Sequence, residues 1–158
     1  MRSRRTGLNN ADTVIVDVDG TLAQFEPSEV HQWVLKKEKD WEPFFAHMSE
    51  APVVEPIRAL VRILKAQQQR IVICSGRPDS HRHHTLAWLD RHEIPYDGVY
   101  LRAQGDDAVD DEAVKQDLLA QIRADGFQPW LVIDDRDAVV ARWRELGLTC
   151  LQCAPGSF

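Results

Sequence analysis

Val14-Ile15-Val16-Asp17-Val18-Asp19-Gly20-Thr21 starts as an unbroken apolar run and ends in two aspartates, two residues apart, followed by a glycine turn. A β-branched run with no polar alternation is the pattern of a strand buried on both faces, as in a parallel sheet covered by helices. Open α/β sheets bind ligands beyond the carboxyl ends of their strands. Asp17 and Asp19 therefore concentrate negative charge where a ligand would sit. Like charges so placed repel until a cation settles them.

Outward from this run, short apolar stretches alternate with helical patterns. Thr13–Val18, Ile71–Cys74, Gly98–Leu101, Leu131–Ile133 and Leu148–Cys153 read as strands. Ile57, Leu60, Val61 and Leu64 form the stripe of a first helix. A second starts near Pro78-Asp79-Ser80 and carries Thr85, Leu86, Trp88 and Leu89. Asp110-Asp111-Glu112 opens a third, with Val114, Leu118, Leu119 and Ile122, and a fourth runs from Ala138 to Leu146 and stops at Gly147. The expectation is an α/β fold: a Rossmann-like parallel sheet, helices on both faces, and a small cap-like insertion after the first strand. The whole chain, 1–158, reads as one domain, with a flexible tail over 1–11 and the insertion over 22–54. Glu29 to Phe45 within that insertion reads as partly helical, and either a surface excursion or a substrate-contacting cap fits it.

Composition excludes several classes. A formal charge of −6 argues against an extended basic groove for nucleic acid, though a few arginines can still grip one phosphate. No apolar run approaches the ~20 residues needed to span a bilayer, and residues 1–11 carry no signal-peptide core. No membrane association is expected. Cys74 reads as a buried thiol, and Cys150 and Cys153, three apart on a strand, point to opposite faces rather than forming a redox or zinc pair. A reducing cytoplasm suits this usage.

Four polar signals fall where strands end or helices begin: Asp17-x-Asp19-Gly20-Thr21, Ser75-Gly76-Arg77, Lys115 and Asp134-Asp135-Arg136. A parallel sheet gathers them on one edge. Carboxylates from the first and fourth would hold Mg²⁺, a hard ion with a preference for oxygen. Ser75, Arg77 and Lys115 add a hydroxyl and two positive charges, which makes a phosphate site beside a metal site. The need for those charges is quantitative: two like charges ~4 Å apart cost about 4 kcal/mol at an effective dielectric of 20. With the repulsion offset, Asp17 would attack phosphorus and Asp19 would protonate the leaving oxygen and then activate water. The Gly20-Thr21 turn would bring backbone amides, and Ser75-Gly76-Arg77 polar groups, to the phosphate.

This ordered set resembles the motifs of the haloacid dehalogenase superfamily of phosphatases. Arg102-x-x-Gly105-Asp106 with Asp111-x-x-x-Lys115, Asp134-Asp135-Arg136-x-x-Val139-Val140-x-x-Trp143-Arg144-x-x-Gly147, and the ending from Cys150 to Phe158 are similar to the 3′-phosphatase domain of phage T4-type polynucleotide kinase-phosphatase. The likeness runs from about residue 12 to 158 and is weakest from Gln24 to Val54. It implies Mg²⁺-dependent removal of 3′-phosphates from DNA or RNA ends, or from nucleoside 3′-phosphates, through an aspartyl-phosphate at Asp17. It gives catalytic roles to Asp17, Asp19 and Lys115, substrate contacts to Gly20, Thr21, Ser75, Gly76 and Arg77, and metal binding to Asp17, Asp19, Asp134 and Asp135. Of the last two, Asp134 is the expected direct ligand.

Two departures bear on substrate and partner. No G-x-x-x-x-G-K-[ST] occurs, so phosphorylation of 5′ ends by a P-loop is excluded, and whether a separate kinase or ligase partners the chain stays open. The family's substrate-binding arginine soon after the first motif has no counterpart between Thr21 and Ile57, where Lys36, Lys37 and Lys39 are the available cations. Other readings stay open. Asp111 either orients Lys115, as the resemblance implies, or simply favours its helix start. Arg102 either orients substrate or forms a structural ion pair. His81, His83 and His84 read as a solvated helix entrance, and Asp137 as a helix-start acid. A phosphatase of small nucleotide or sugar phosphates is the alternative function. A receiver-type phosphoacceptor domain is disfavoured because its motifs come in a different order.

Overall fold

The computed structural model describes residues 10–158, so the tail expected over 1–11 lies, up to residue 9, outside the described residues. Five parallel strands form one sheet: β1 (Thr13–Val16), β2 (Arg70–Pro78), β3 (Gly98–Arg102), β4 (Pro129–Asp134) and β5 (Thr149–Gln152), in the spatial order β3-β2-β1-β4-β5. Helices α1 (Pro27–Val34), α2 (Trp41–Met48), α3 (Glu55–Ala66), α4 (Arg82–Arg91), α5 (Asp111–Ala124) and α6 (Asp137–Glu145) fill the connections. The α/β expectation holds.

Alternate residues of the central strands feed two separate cores, as the period of two requires. Val14, Val16, Ile71, Ile73, Leu131 and Ile133 pack into one with Phe44, Phe45, Val61, Trp88 and Leu89. Ile15, Val72, Cys74 and Val132 turn the other way, against α5 and α6. Registry ties these faces together, with Ile15 beside both Val72 and Val132. Burial on both faces is why the strands show no polar alternation.

Most strand ends shift by one or two residues from expectation, and two of the differences shape the site edge. β1 stops at Val16 rather than Val18. The Val18 carbonyl accepts N–H bonds from Thr21, Leu22 and Ala23 (2.9–3.1 Å), which curls the chain out of the sheet. β2 continues through Ser75-Gly76-Arg77 to Pro78 rather than ending at Cys74. Its register shifts between Cys74 and Pro78, so the second polar signal lies on a bulged strand.

The excursion after β1 carries two helices where the sequence suggested one partly helical stretch. Its ends are pinned together, Gln24 N–H to Pro52 O at 2.9 Å and Val54 N–H to Leu22 O at 2.7 Å. The indole of Trp88 on α4 donates to Ala51 O at 2.9 Å. Phe44 and Phe45 are buried, so this excursion belongs to the main core. No helix among the described residues is long and apolar enough to cross a membrane.

Candidate active site

The parallel sheet brings the four signals together. Asp17 follows β1, Ser75 and Arg77 lie on β2, Lys115 is on the second turn of α5, and Asp134-Asp135 closes β4. They line one cleft at the carboxyl edge of the sheet. Phe25, Lys39, Trp41 and Phe44 from the excursion, and Phe158, also line it.

Lys115 is the electrostatic pivot. Its ammonium, 4% exposed, donates to Asp17 Oδ1 at 2.9 Å and to Asp134 Oδ2 at 2.7 Å. Burial alone would lower its pKa, but Asp134 and Asp17 hold it well above the ordinary lysine value, so it stays charged. Oxygens of Asp17, Asp134 and Asp135 lie within 4.8 Å of one another. Each like-charged pair at that distance costs about 3 kcal/mol at an effective dielectric of 20. Three carboxylates against one ammonium leave the cluster short of positive charge. Accordingly, burial and then Asp134 push the Asp17 carboxyl up, and the same two causes raise Asp135 to about 6. An all-oxygen, buried donor set with net negative charge suits a hard divalent cation such as Mg²⁺.

The hydrogen bonds distinguish the two late aspartates. Asp134 Oδ2 accepts from Lys115 and from the Trp143 indole at 3.1 Å, while its Oδ1 accepts the Asp135 N–H at 2.8 Å. Both oxygens are committed. Asp135 Oδ1 meets only a long contact from the Thr21 hydroxyl, 3.4 Å, which also donates to Asp17 Oδ2 at 3.2 Å. Asp135 thus has the less committed carboxylate, against the expectation that favoured Asp134 as direct ligand.

Asp19 takes a different place from the metal cluster expected for it. Its carboxylate is gripped in a fork by Arg77, Nε to Oδ2 at 2.8 Å and Nη2 to Oδ1 at 2.6 Å. Arg77, 2% exposed, also donates to Thr85 Oγ1 and lies 5.6 and 5.5 Å from the Phe44 and Phe45 ring centres. The Phe45 ring stacks in turn on His84 and His81, 5.0 and 5.4 Å away. Ser75 Oγ accepts the Arg77 N–H at 3.1 Å.

The amides of Gly20 and Thr21 do not cradle a phosphate, as had been expected. They donate to Ala23 O and Val18 O, because the turn closes on itself. Gly20 is required for another reason: at φ 87° its α-carbon backs onto the Asp135 carboxylate, and a Cβ would stand 2.6 Å from Asp135 Cγ. Gly76 is crowded likewise, with Asp111 Oδ1 2.7 Å from the position of a Cβ.

Asp111 does not hydrogen-bond Lys115. It joins Arg102 and Arg136, the latter at 2.5 Å. Arg102 is also held by structural bonds, donating to the carbonyls of Gly76, Asp106 and Val109, while it lines the cleft. The sequence reading offered Lys39, with Lys36 and Lys37, as a substitute cation, and Lys39 does line the cleft; it assigned no role to the Trp143 indole or to the Phe44–Phe45 wall. Cys150 and Cys153 do serve opposite cores, and no disulfide forms among the described residues.

Fold and site together define a class, the haloacid dehalogenase-type phosphatases. Residues 11–158 match the polynucleotide kinase PNKP phosphatase domain, and the chain belongs to that family. It is similar to a chain in the structure of the Pnkp1/Rnl/Hen1 complex, at 26% identity and a TM-score of 0.77 over 95% of this chain and 48% of that one. A structure of the Pnkp1/Rnl/Hen1 RNA repair complex gives 24% and 0.76 over 98% and 48%. A haloacid dehalogenase-like family protein from Streptococcus pneumoniae shares the fold at 17% identity and a TM-score of 0.60, over 90% of this chain and 84% of that one. The chain spans about half the length of the chains it matches in the complexes.

Proposed function

We propose that this domain removes the 3′-phosphate from nucleic-acid ends or nucleoside 3′-phosphates, with Mg²⁺ bound by Asp17 and Asp135 and backed by Asp134. The observation that carries the reading is the buried Asp17–Lys115–Asp134 set beside a carboxylate pinned by Arg77. Membership of the polynucleotide kinase phosphatase family supports the substrate. When bound, the cation would offset the negative charge of both phosphate and carboxylates.

Asp17 Oδ attacks phosphorus, forming the aspartyl-phosphate as the bond to the 3′ oxygen breaks. Lys115 orients Asp17 and spreads the developing charge on the phosphoryl oxygens. Asp19, with 18% of its side chain exposed, gives a proton to the departing 3′ oxygen. It then takes one from the water that hydrolyses the aspartyl-phosphate and frees Asp17. Arg77 fixes the plane of the Asp19 carboxylate through its two N–H bonds. Three unpaired thiols fit a reducing, cytoplasmic setting. Similarity to a chain in the Pnkp1/Rnl/Hen1 complex supports protein partners in end repair.

The test is phosphate release from oligonucleotides phosphorylated at either the 3′ or the 5′ end, with Mg²⁺, for wild type and Asp17→Asn. Selective release from the 3′ end that vanishes in the variant is expected. Release from neither, with small phosphate esters still hydrolysed, overturns the nucleic-acid substrate.

A further inference from the structure

The cleft is electrically divided. At one end, Asp17, Asp134 and Asp135 outnumber Lys115. At the other, Arg102 and Arg136 share one carboxylate, that of Asp111, and Lys39 lines the same wall. The Lys39 ammonium donates to the backbone carbonyl of Lys36 and forms no ion pair among the described residues. Asp107, the next acid at this end, accepts the Trp41 indole N–H at 3.2 Å. Three cations against two carboxylates leave positive charge over, and it is spare: the scissile phosphate is already served by Lys115 and the metal end. Burial first, then Arg102 and Arg136, lower the pKa of Lys39 by more than Asp111 and Asp107 raise it.

A second observation gives this end a direction. A groove between the 35–40 turn and the start of α5 shares Leu35, Lys39, Asp111 and Arg136 with the cleft and carries Lys36 and Lys37 further out. Asp110 and Glu112 lie on its other side, at the N-terminal turn of α5 where the helix dipole favours acids. Arg136 keeps its place through Asp111 and the Phe158 carbonyl at 2.7 Å. The aromatic rings of Trp41 and Phe158 line the same cleft.

We infer that Lys39 and Arg136 form a second anion subsite, which takes the phosphate one nucleotide 5′ of the scissile one. The 35–40 groove leads the preceding strand outward. The inference rests on the 3′-phosphatase reading and deepens it: the preferred substrate is a nucleotide that carries a 5′ phosphate or phosphodiester as well as its 3′-phosphate.

The experiment compares three substrates, a nucleoside 3′-monophosphate, the nucleoside 3′,5′-bisphosphate and a dinucleotide 3′-phosphate, in wild type, Lys39→Ala and Lys39→Arg. In wild type, kcat/KM should be about tenfold higher for the two substrates with a second phosphate, an advantage that shrinks as salt is raised. Lys39→Ala should collapse the bisphosphate-to-monophosphate ratio about tenfold through KM, and Lys39→Arg should restore most of it. Equal kcat/KM across the three wild-type substrates overturns the subsite alone, as does a Lys39→Ala loss identical for all three. Wild type inactive on all three, but active on an aryl phosphate, overturns the 3′-phosphatase reading and the subsite with it.

Discussion

Gly20→Ala separates two costs that the structure places at one atom. Gly20 sits at φ 87°, a region that costs an L-residue ~1–2 kcal/mol. The added methyl also overlaps the Asp135 carboxylate, 2.6 Å from its Cγ. Asp135 is 3% exposed, between the Gly20 turn and Asp134, so its carboxylate has little room to retreat. Overpacking of this kind costs ~1–3 kcal/mol. The single variant should therefore lose ~2–5 kcal/mol of unfolding free energy. For a chain of this size each kcal/mol is about 2–4 °C in Tm, so the melting point should fall by on the order of 10 °C. Only the second cost depends on Asp135. In an Asp135→Ala background the clashing atoms are gone, and Gly20→Ala should cost the backbone strain alone. Urea titrations of wild type, both single variants and the double variant close the cycle, with an expected coupling of ~1–3 kcal/mol. Additivity within ~0.5 kcal/mol would refute the close approach of Gly20 to Asp135. A single-variant cost below ~1 kcal/mol would refute the strain as well.

Arg77→Lys keeps the charge and loses the fork, so kcat should fall ~10–100-fold with KM nearly unchanged, since Arg77 acts through Asp19; a change in KM alone would mean that Arg77 grips substrate. Burial would raise the Asp111 carboxyl, but Arg136, Lys115 and Arg102 together hold it below the usual 3.8. Its contribution to stability is thus present above about pH 4 and lost as pH falls through the lower folded value. Asp111→Asn should cost ~3 kcal/mol at pH 7 by stranding the buried Arg102 guanidinium and weakening the hold on the partly exposed Arg136, and should flatten the acid limb of a stability-versus-pH curve; parallel limbs would count against it. Trp143→Phe removes an N–H from the Asp134 carboxylate and should destabilise by ~1.5–3 kcal/mol in chemical denaturation, with weaker Mg²⁺ binding by calorimetry. Burial pushes the Cys74 and Cys150 thiols up to about 12, so both should resist alkylation at pH 8 until urea unfolds the chain; rapid native labelling would contradict their burial.

Local chemistry determined much of this protein. The uninterrupted apolar run before Asp17 requires two covered sheet faces, and its odd and even residues do feed separate cores. The helix stripes and the stop at Gly147 are nearest-neighbour signals and were legible for that reason. So was the convergence of Asp17, Lys115 and Asp134, because a parallel sheet has one carboxyl edge. The ends of β1 and β2 were less legible: a carbonyl that gathers three amides and a bulge opposite β3 are pairings between distant segments.

What the tertiary structure alone decided is how charges are shared. The sequence shows that Asp19, Arg77, Arg102, Asp111, Arg136 and Lys39 exist, but not which carboxylate each cation neutralises. That choice turns on angstrom-scale distances between side chains far apart in the chain. Folding gives Asp19 to Arg77, Asp111 to two arginines, and both oxygens of Asp134 to protein donors. It leaves Asp135 with the less committed carboxylate and Lys39 without an ion pair among the described residues. Coulomb energy in a buried cleft depends on distance and desolvation together, and neither is written in residue order.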